Sequence, residues 1–168
     1  VVRDYAAGDA VKQIHWKATA RERKLKVRTM IGKENQGVSI FCDTKRCSES
    51  RGEYLPLENK ILEAFLAVAY FFAGKETAFS AYYGQKGIVK GHVEGIHEFD
   101  DFYHKVSEIQ FGAEENLQHV LEHVMVWGEL WSSGIVFCIL HELTPAVMDI
   151  TDRLIAGGII VVIYVITD

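Results

Sequence analysis

VSIFCDTKRCSES, residues 38–50, passes from an apolar tract into a polar loop whose first residue is the carboxylate Asp43. A short run of this kind, apolar without alternation, marks a strand covered on both faces. GIVFCIL (134–140) and IIVVIYVI (159–166) have the same texture. Between them lie tracts of helical period. PLENKILEAFLAVAYFFAG (56–74) carries Pro56 at an expected first helical position and Gly74 just past the expected end. Its apolar residues run nearly all the way round, which predicts a buried helix. HEFDDFYHKVSEIQFG (97–112) places Phe99, Phe102, Tyr103, Val106 and Ile109 at helical spacing, and ENLQHVLEHVMVWGELW (115–131) does so with Leu117, Val120, Leu121 and Val124. TPAVMDITDRLIAGG (144–158) opens on a Thr-Pro cap pair and closes on Gly157-Gly158. ETAFSAYYG and GIVKGHVEG read as short strands, the second an edge interrupted by Gly91.

Continuous apolar strands separated by helices predict a three-layer, Rossmann-like α/β fold, a mainly parallel sheet with helices on both faces. Ahead of it, KLKVRTM (24–30) alternates as a half-exposed strand, and GKENQG (32–37) reads as a turn. Together with the next strand they predict a hairpin over 25–43. The expected organisation is one compact domain, with an N-terminal arm and hairpin strand over 1–36 and the α/β core over 37–168.

The chain has 168 residues and a formal charge of −5. Residues 1–33 hold nine Lys/Arg against three Asp/Glu, a net +6, which leaves −11 on the rest. A basic arm of this kind docks on an acidic body or is drawn to anionic surfaces such as lipid or nucleic acid. The low overall pI and the lack of further aromatic strips argue against nucleic acid. Cys42 and Cys138 sit in apolar runs and Cys47 in the loop, with no disulfide or zinc spacing. This usage fits a reducing compartment. The longest apolar stretches are shorter than a bilayer span.

There is no Gly-x-Gly-x-x-Gly, no Gly-Lys-Ser/Thr and no Gly-x-Ser-x-Gly. His119 and His123 are four apart, a spacing that reads as solvated helix surface, and Cys47 has no signature of a nucleophile. In parallel sheets the working site lies at the carboxyl ends of the strands, here DTKRCSES (43–50) and HELTP (141–145). Asp43 and Glu142 are the carboxylates placed to hold an oxygen-ligated cation there. Lys45 and Arg46 are placed to neutralise Asp43 without one.

The opening stretch RDYAAGDAVKQIHWKATAR (3–21) closely resembles the signature of domain-of-unknown-function family fifty-eight, on Arg3, Tyr5, Gly8, Asp9, Ile14, Trp16, Lys17, Thr19, Ala20 and Arg21. The resemblance implies a von Willebrand factor A-like fold and the company of MoxR-type AAA ATPases. It also implies a membrane-spanning hairpin upstream, so that this chain is a soluble fragment on the cytoplasmic side of a membrane. Metal-binding von Willebrand A domains use Asp-x-Ser-x-Ser after the first strand. Here Asp43 is kept, but Lys45 and Cys47 occupy the two serine positions, and an ammonium repels a divalent cation. GAEENL (112–117) lacks the expected threonine, and Glu142 stands for the last aspartate. The site is therefore expected to be degenerate and to need no cofactor, with Mg2+ as the alternative.

Two readings of the signature compete. In the structural one, Gly8 supplies a turn, Asp9 caps a helix from Ala10, and Ile14 and Trp16 are buried. In the other, Tyr5, Trp16 and the arginines form a docking surface. The expected function is a non-enzymatic interaction module, adaptor or regulator of a MoxR-type ATPase with an unidentified client. It would bind through Asp43, Thr44, Lys45, Arg46, Cys47, Ser48, Glu142 and Thr144. The alternatives are a cation-dependent hydrolase built on Asp43 and Glu142, and nucleic-acid or lipid binding through the arm.

Overall fold

The computed structural model describes residues 2–5, 14, 16–28 and 37–167. The chain divides into two compact units, Val1–Glu34 and Asn35–Asp168. In the first, β1 (Val2–Asp4) pairs antiparallel with β2 (Lys26–Arg28) beside the short helix α1 (Trp16–Glu22). Lys26 organises this unit. Its ammonium bridges Asp4 and Glu22, each at 2.8 Å, and its N–H donates to Thr19 Oγ1 at 2.9 Å. Thr19 of the signature thus ties α1 to β2. Ile14 is half-buried, whereas Trp16, buried in the structural reading of the signature, is 65% exposed. Lys17, Ala20 and Arg21 are exposed as well. Gly8, Asp9 and residues 32–36 of the expected turn lie outside the described residues, and its last residue, Gly37, opens β3.

The second unit is a five-stranded sheet in the order β5-β4-β3-β6-β7. Its strands are β3 (Gly37–Cys42), β4 (Phe79–Gly84), β5 (Ile88–Val93), β6 (Ser133–Leu140) and β7 (Ile160–Val165). All pairings are parallel except the β4–β5 edge. Helices α2 (Arg51–Gly74) and α3 (Ile96–Ser107) cover one face, and α4 (Leu117–Val126) and α5 (Pro145–Ala156) the other. Alternate residues of β3 feed two cores: Val38, Ile40 and Cys42 pack with α2 and α3, and Phe41 with α4 and α5. β6 divides likewise, Phe137 and Ile139 against Val136, Cys138 and Leu140. Burial on both faces removes the period-two signature, which is why these strands read as unbroken apolar runs.

Four expectations change. The hairpin over 25–43 does not form, because both edges of β3 are taken by β4 and β6 while β2 pairs with β1. α2 begins five residues earlier than expected, so Pro56 lies inside it and removes one backbone hydrogen bond from its second turn. Nor is α2 buried all round. It buries an i, i+4 stripe of Leu57, Ile61, Phe65, Ala69 and Ala73, while Tyr70 and Phe71 are exposed. β7 is an edge strand, which leaves Ile160, Tyr164 and Val165 accessible. By contrast, α5 starts as expected, with Thr144 Oγ1 accepting the Val147 N–H and Pro145 in the first turn.

Candidate functional site at the carboxyl ends of β3 and β6

From β3 the chain runs to β4 on one side, and later enters β6 on the other. The loops after two parallel neighbours therefore diverge and leave a crevice, the place where open α/β sheets hold ligands. Asp43 and His141 are the first residues beyond the two strands. The Asp43 N–H donates to the Ile139 carbonyl at 2.9 Å, which locks the two strand ends together. Asp43 is buried, and its Oδ1 accepts the Lys45 N–H at 3.1 Å in an Asx-type turn. Its Oδ2 faces His141 Nδ1 at 3.7 Å, within ion-pair range for a protonated ring but too far for a hydrogen bond. That ring nitrogen is buried and has no hydrogen-bond partner.

Around this pair the loop is held residue by residue. Thr44 is buried, donating its hydroxyl to the Gly84 carbonyl at 2.7 Å, so it frames the loop rather than presenting itself. Lys45 Nζ stands 3.5 Å from Glu142 Oε2 at the rim. Arg46 donates Nε–H to Glu58 at 3.0 Å and lies over the Tyr54 ring at 4.1 Å, which commits it to α2. Ser48 donates to Glu53, and Cys47 is exposed. Asn116 caps α4 by accepting the His119 N–H at 2.9 Å. A cavity of about 70 Å3 results, lined by Asp43, Lys45, Asn116, Leu117, Gln118, Glu142, Thr144 and Val147.

The fold thus brings Asp43, Lys45, Glu142 and Thr144 to one small cavity and draws Arg46 and Ser48 toward α2. Sequence reasoning passed over His141, Asn116 and Gln118. His141 was detectable by place, as the residue that follows an apolar strand. Asn116 carried the signal of a cap residue before a helical run. His119 and His123 lie on the exposed face of α4, with His123 Nδ1 against the His119 carbonyl.

Burial pushes the Asp43 carboxyl above its ordinary range, and the Lys45 N–H and the nearby His141 and Lys45 only partly offset this. The folded chain therefore holds this proton more tightly than the unfolded chain does. That contribution to stability is fully present below the unfolded value and is lost as pH rises through the raised value. Asp43→Asn removes the charge, keeps an acceptor for the Lys45 N–H, and offers an amide to the unpaired His141 nitrogen. The variant is expected to be more stable than the parent at pH 7 by about 1 kcal/mol, the worth of one recovered hydrogen bond. Urea midpoints from pH 4 to 8 check this. The parent should lose stability with rising pH relative to the variant, and parallel curves would refute the assignment.

The donor set does not fit a divalent cation held in the von Willebrand A manner. At the two serine positions stand an ammonium and an exposed thiol, and the Thr44 hydroxyl is turned into the sheet. Among the described residues, no three His, Cys, Asp or Glu side chains cluster as a metal site would require.

Comparison with known proteins agrees with this architecture. The family model described as Protein of unknown function DUF58 matches residues 1–87, more than half of the chain. The chain belongs to that family. The DUF58 match takes in the signature, Asp43 and Lys45, and stops short of His141 and Glu142. By structure this DUF58 chain is similar to the manganese-loaded TRAP protein of Plasmodium vivax, with a TM-score of 0.53 and 9% identity, covering 82% of this chain and 59% of that one. It is also similar to proximal thread matrix protein 1 of the mussel byssus, with a TM-score of 0.48 and 12% identity, covering 77% and 37%. The chain therefore spans less than two thirds of either protein. The likeness to TRAP shows the fold, a von Willebrand factor A-like module. No curated protein matches the DUF58 chain.

Proposed function

We propose that this chain is a non-enzymatic protein–protein interaction module, an adaptor or regulator of a MoxR-type AAA ATPase at the cytoplasmic face of a membrane. It presents the strand-end face to its partner, and a client protein completes the assembly. The supporting observation is the Lys45–Glu142 pair at the mouth of the crevice. There an ammonium of the chain's own stands where a von Willebrand A site places its metal-binding hydroxyls, so contact with the partner requires no cation. The exposed ring of Lys45, Cys47, Glu142, Leu143 and Pro145 around a buried Asp43 suits recognition better than turnover. The ATPase partner and the membrane face rest on the family resemblance, and the three free thiols are consistent with a reducing compartment. Among the described residues no helix is long and apolar enough to cross a bilayer.

The test is retention of a purified MoxR-type ATPase from the same organism on the immobilised chain, in Mg2+ and in EDTA. Equal retention in both, lost in the rim variant Leu143→Asp, is the expected result. Loss of retention in EDTA would restore a working metal site, and retention untouched by Leu143→Asp would move the contact off this face.

A further inference from the structure

We propose that the strand-end cavity receives the ammonium group of a lysine side chain on the partner protein, and that Lys45 is the tethered cation it displaces. This rests on the reading of the strand-end face as an interaction site. The cavity, about 70 Å3, suits a compact head group better than a planar guanidinium. Its lining carries two carboxylates, Asp43 and Glu142, against the single ammonium of Lys45, and it lies on a body with a net charge of −11 over residues 34–168. An incoming cation is drawn to such a site and a carboxylate is repelled.

The hydrogen-bond inventory points the same way. Asp43 Oδ1 is occupied by the Lys45 N–H, but Oδ2 faces only a ring nitrogen 3.7 Å away, and that nitrogen has no partner although its side chain is just 8% exposed. The exposed-edge oxygen of a largely buried carboxylate and a buried imidazole nitrogen, side by side beyond hydrogen-bond distance, form an incomplete polar cluster. An ammonium supplies three N–H donors, enough for Asp43 Oδ2, the Glu142 carboxylate and the Thr144 hydroxyl at the cavity wall. Lys45 does not fill this role itself. Its Nζ contacts the rim carboxylate at 3.5 Å, in a pair with both side chains more than half exposed. Pairs of this kind contribute little and open readily. Lys45 therefore partly neutralises the site while no partner is bound and gives way to a cation positioned by a surrounding interface.

The experiment titrates N-acetyl-lysine methylamide into the isotopically labelled 168-residue chain and follows amide and imidazole resonances. Saturable millimolar binding is expected, with shifts at Asp43, Lys45, His141 and Glu142, and none from the norleucine analogue. Asp43→Asn, which is expected to fold with undiminished stability, should abolish it. Lys45→Ala should tighten it by about two- to fivefold, the range that removal of an exposed ion pair allows. Weaker binding in Lys45→Ala, binding of N-acetyl-glutamate methylamide in place of the lysine compound, shifts at Asp43 with Mg2+ alone, or no binding at all would each overturn the proposal. If it fails while Leu143→Asp still releases the ATPase, the interaction face stands and only its occupant is wrong. If Leu143→Asp has no effect either, that reading fails with it.

Discussion

Phe65→Ala is expected to cost about 3–5 kcal/mol of folding stability, the range for emptying a fully buried aromatic site. Phe65 is wholly inaccessible at the centre of the α2 stripe. Its ring meets Phe102 of α3 at 5.9 Å and Tyr83 of β4 at 6.3 Å, both edge-on. It therefore joins two helices to the sheet on one face, and truncation removes the edge-on contacts together with the buried area. The surroundings cannot close the gap easily, since Ile61 and Ala69, one turn away on either side, are themselves fully packed. Urea unfolding followed by far-ultraviolet circular dichroism should show a much lower midpoint with an unchanged slope. The matched control is Phe71→Ala, six residues along the same helix and 57% exposed, where a change within about 0.5 kcal/mol is expected. Similar losses in both variants would mean that α2 packs through a face other than the stripe described above.

The second large effect is expected at Gly84, the last residue of β4. A Cβ there would come within 2.1 Å of the Glu115 carbonyl oxygen and 2.8 Å of the Glu115 Cβ. The obstacle is main chain, so no side-chain rotation relieves it. Gly84→Ala must displace the segment leading into α4, at a cost of about 1–3 kcal/mol for overpacking. The disturbance should also reach the candidate site, because Asn116 and Leu117 line the cavity one and two residues beyond Glu115. The Thr44 hydroxyl is bound to the Gly84 carbonyl as well, from the loop on the opposite wall. A combined result is therefore expected: a lower urea midpoint, with amide shift changes at Thr44, Asn116 and Leu117. A destabilised variant with an unchanged site would show that the two walls are anchored independently of β4.

The texture of VSIFCD and GIVFCIL placed two strands that are buried on both faces, whereas the same texture in IIVVIYVI belongs to the accessible edge strand β7. The period of Leu117, Val120, Leu121 and Val124 marked the inner face of α4, and all four are buried. Thr144-Pro145 marked the start of α5 because capping chemistry is local, needing no residue more than three away. The signature around Trp16 identified the family, and Lys45 and Cys47 were legible in the loop as departures from the serine positions of the von Willebrand A pattern.

What the sequence withheld depends on partners distant in the chain. An apolar tract such as 62–73 of α2 reads as buried on every side. Whether Tyr70 and Phe71 are covered depends on the elements packed around them, which periodicity does not report. The failed hairpin has the same cause: the alternation in KLKVRTM describes a strand but names no partner, and the pairing was decided by β4 and β6 filling both edges of β3. The site follows this rule most closely. Asp43 was visible as the end of a strand, but its meeting with His141 and the Lys45–Glu142 contact join residues nearly a hundred positions apart. The amino-acid sequence by itself determined most of the elements, the family and the residue types of the strand-end loops, because these are properties of residues and their near neighbours. Only the tertiary structure decided which strands lie side by side, and so which charges face one another across the crevice.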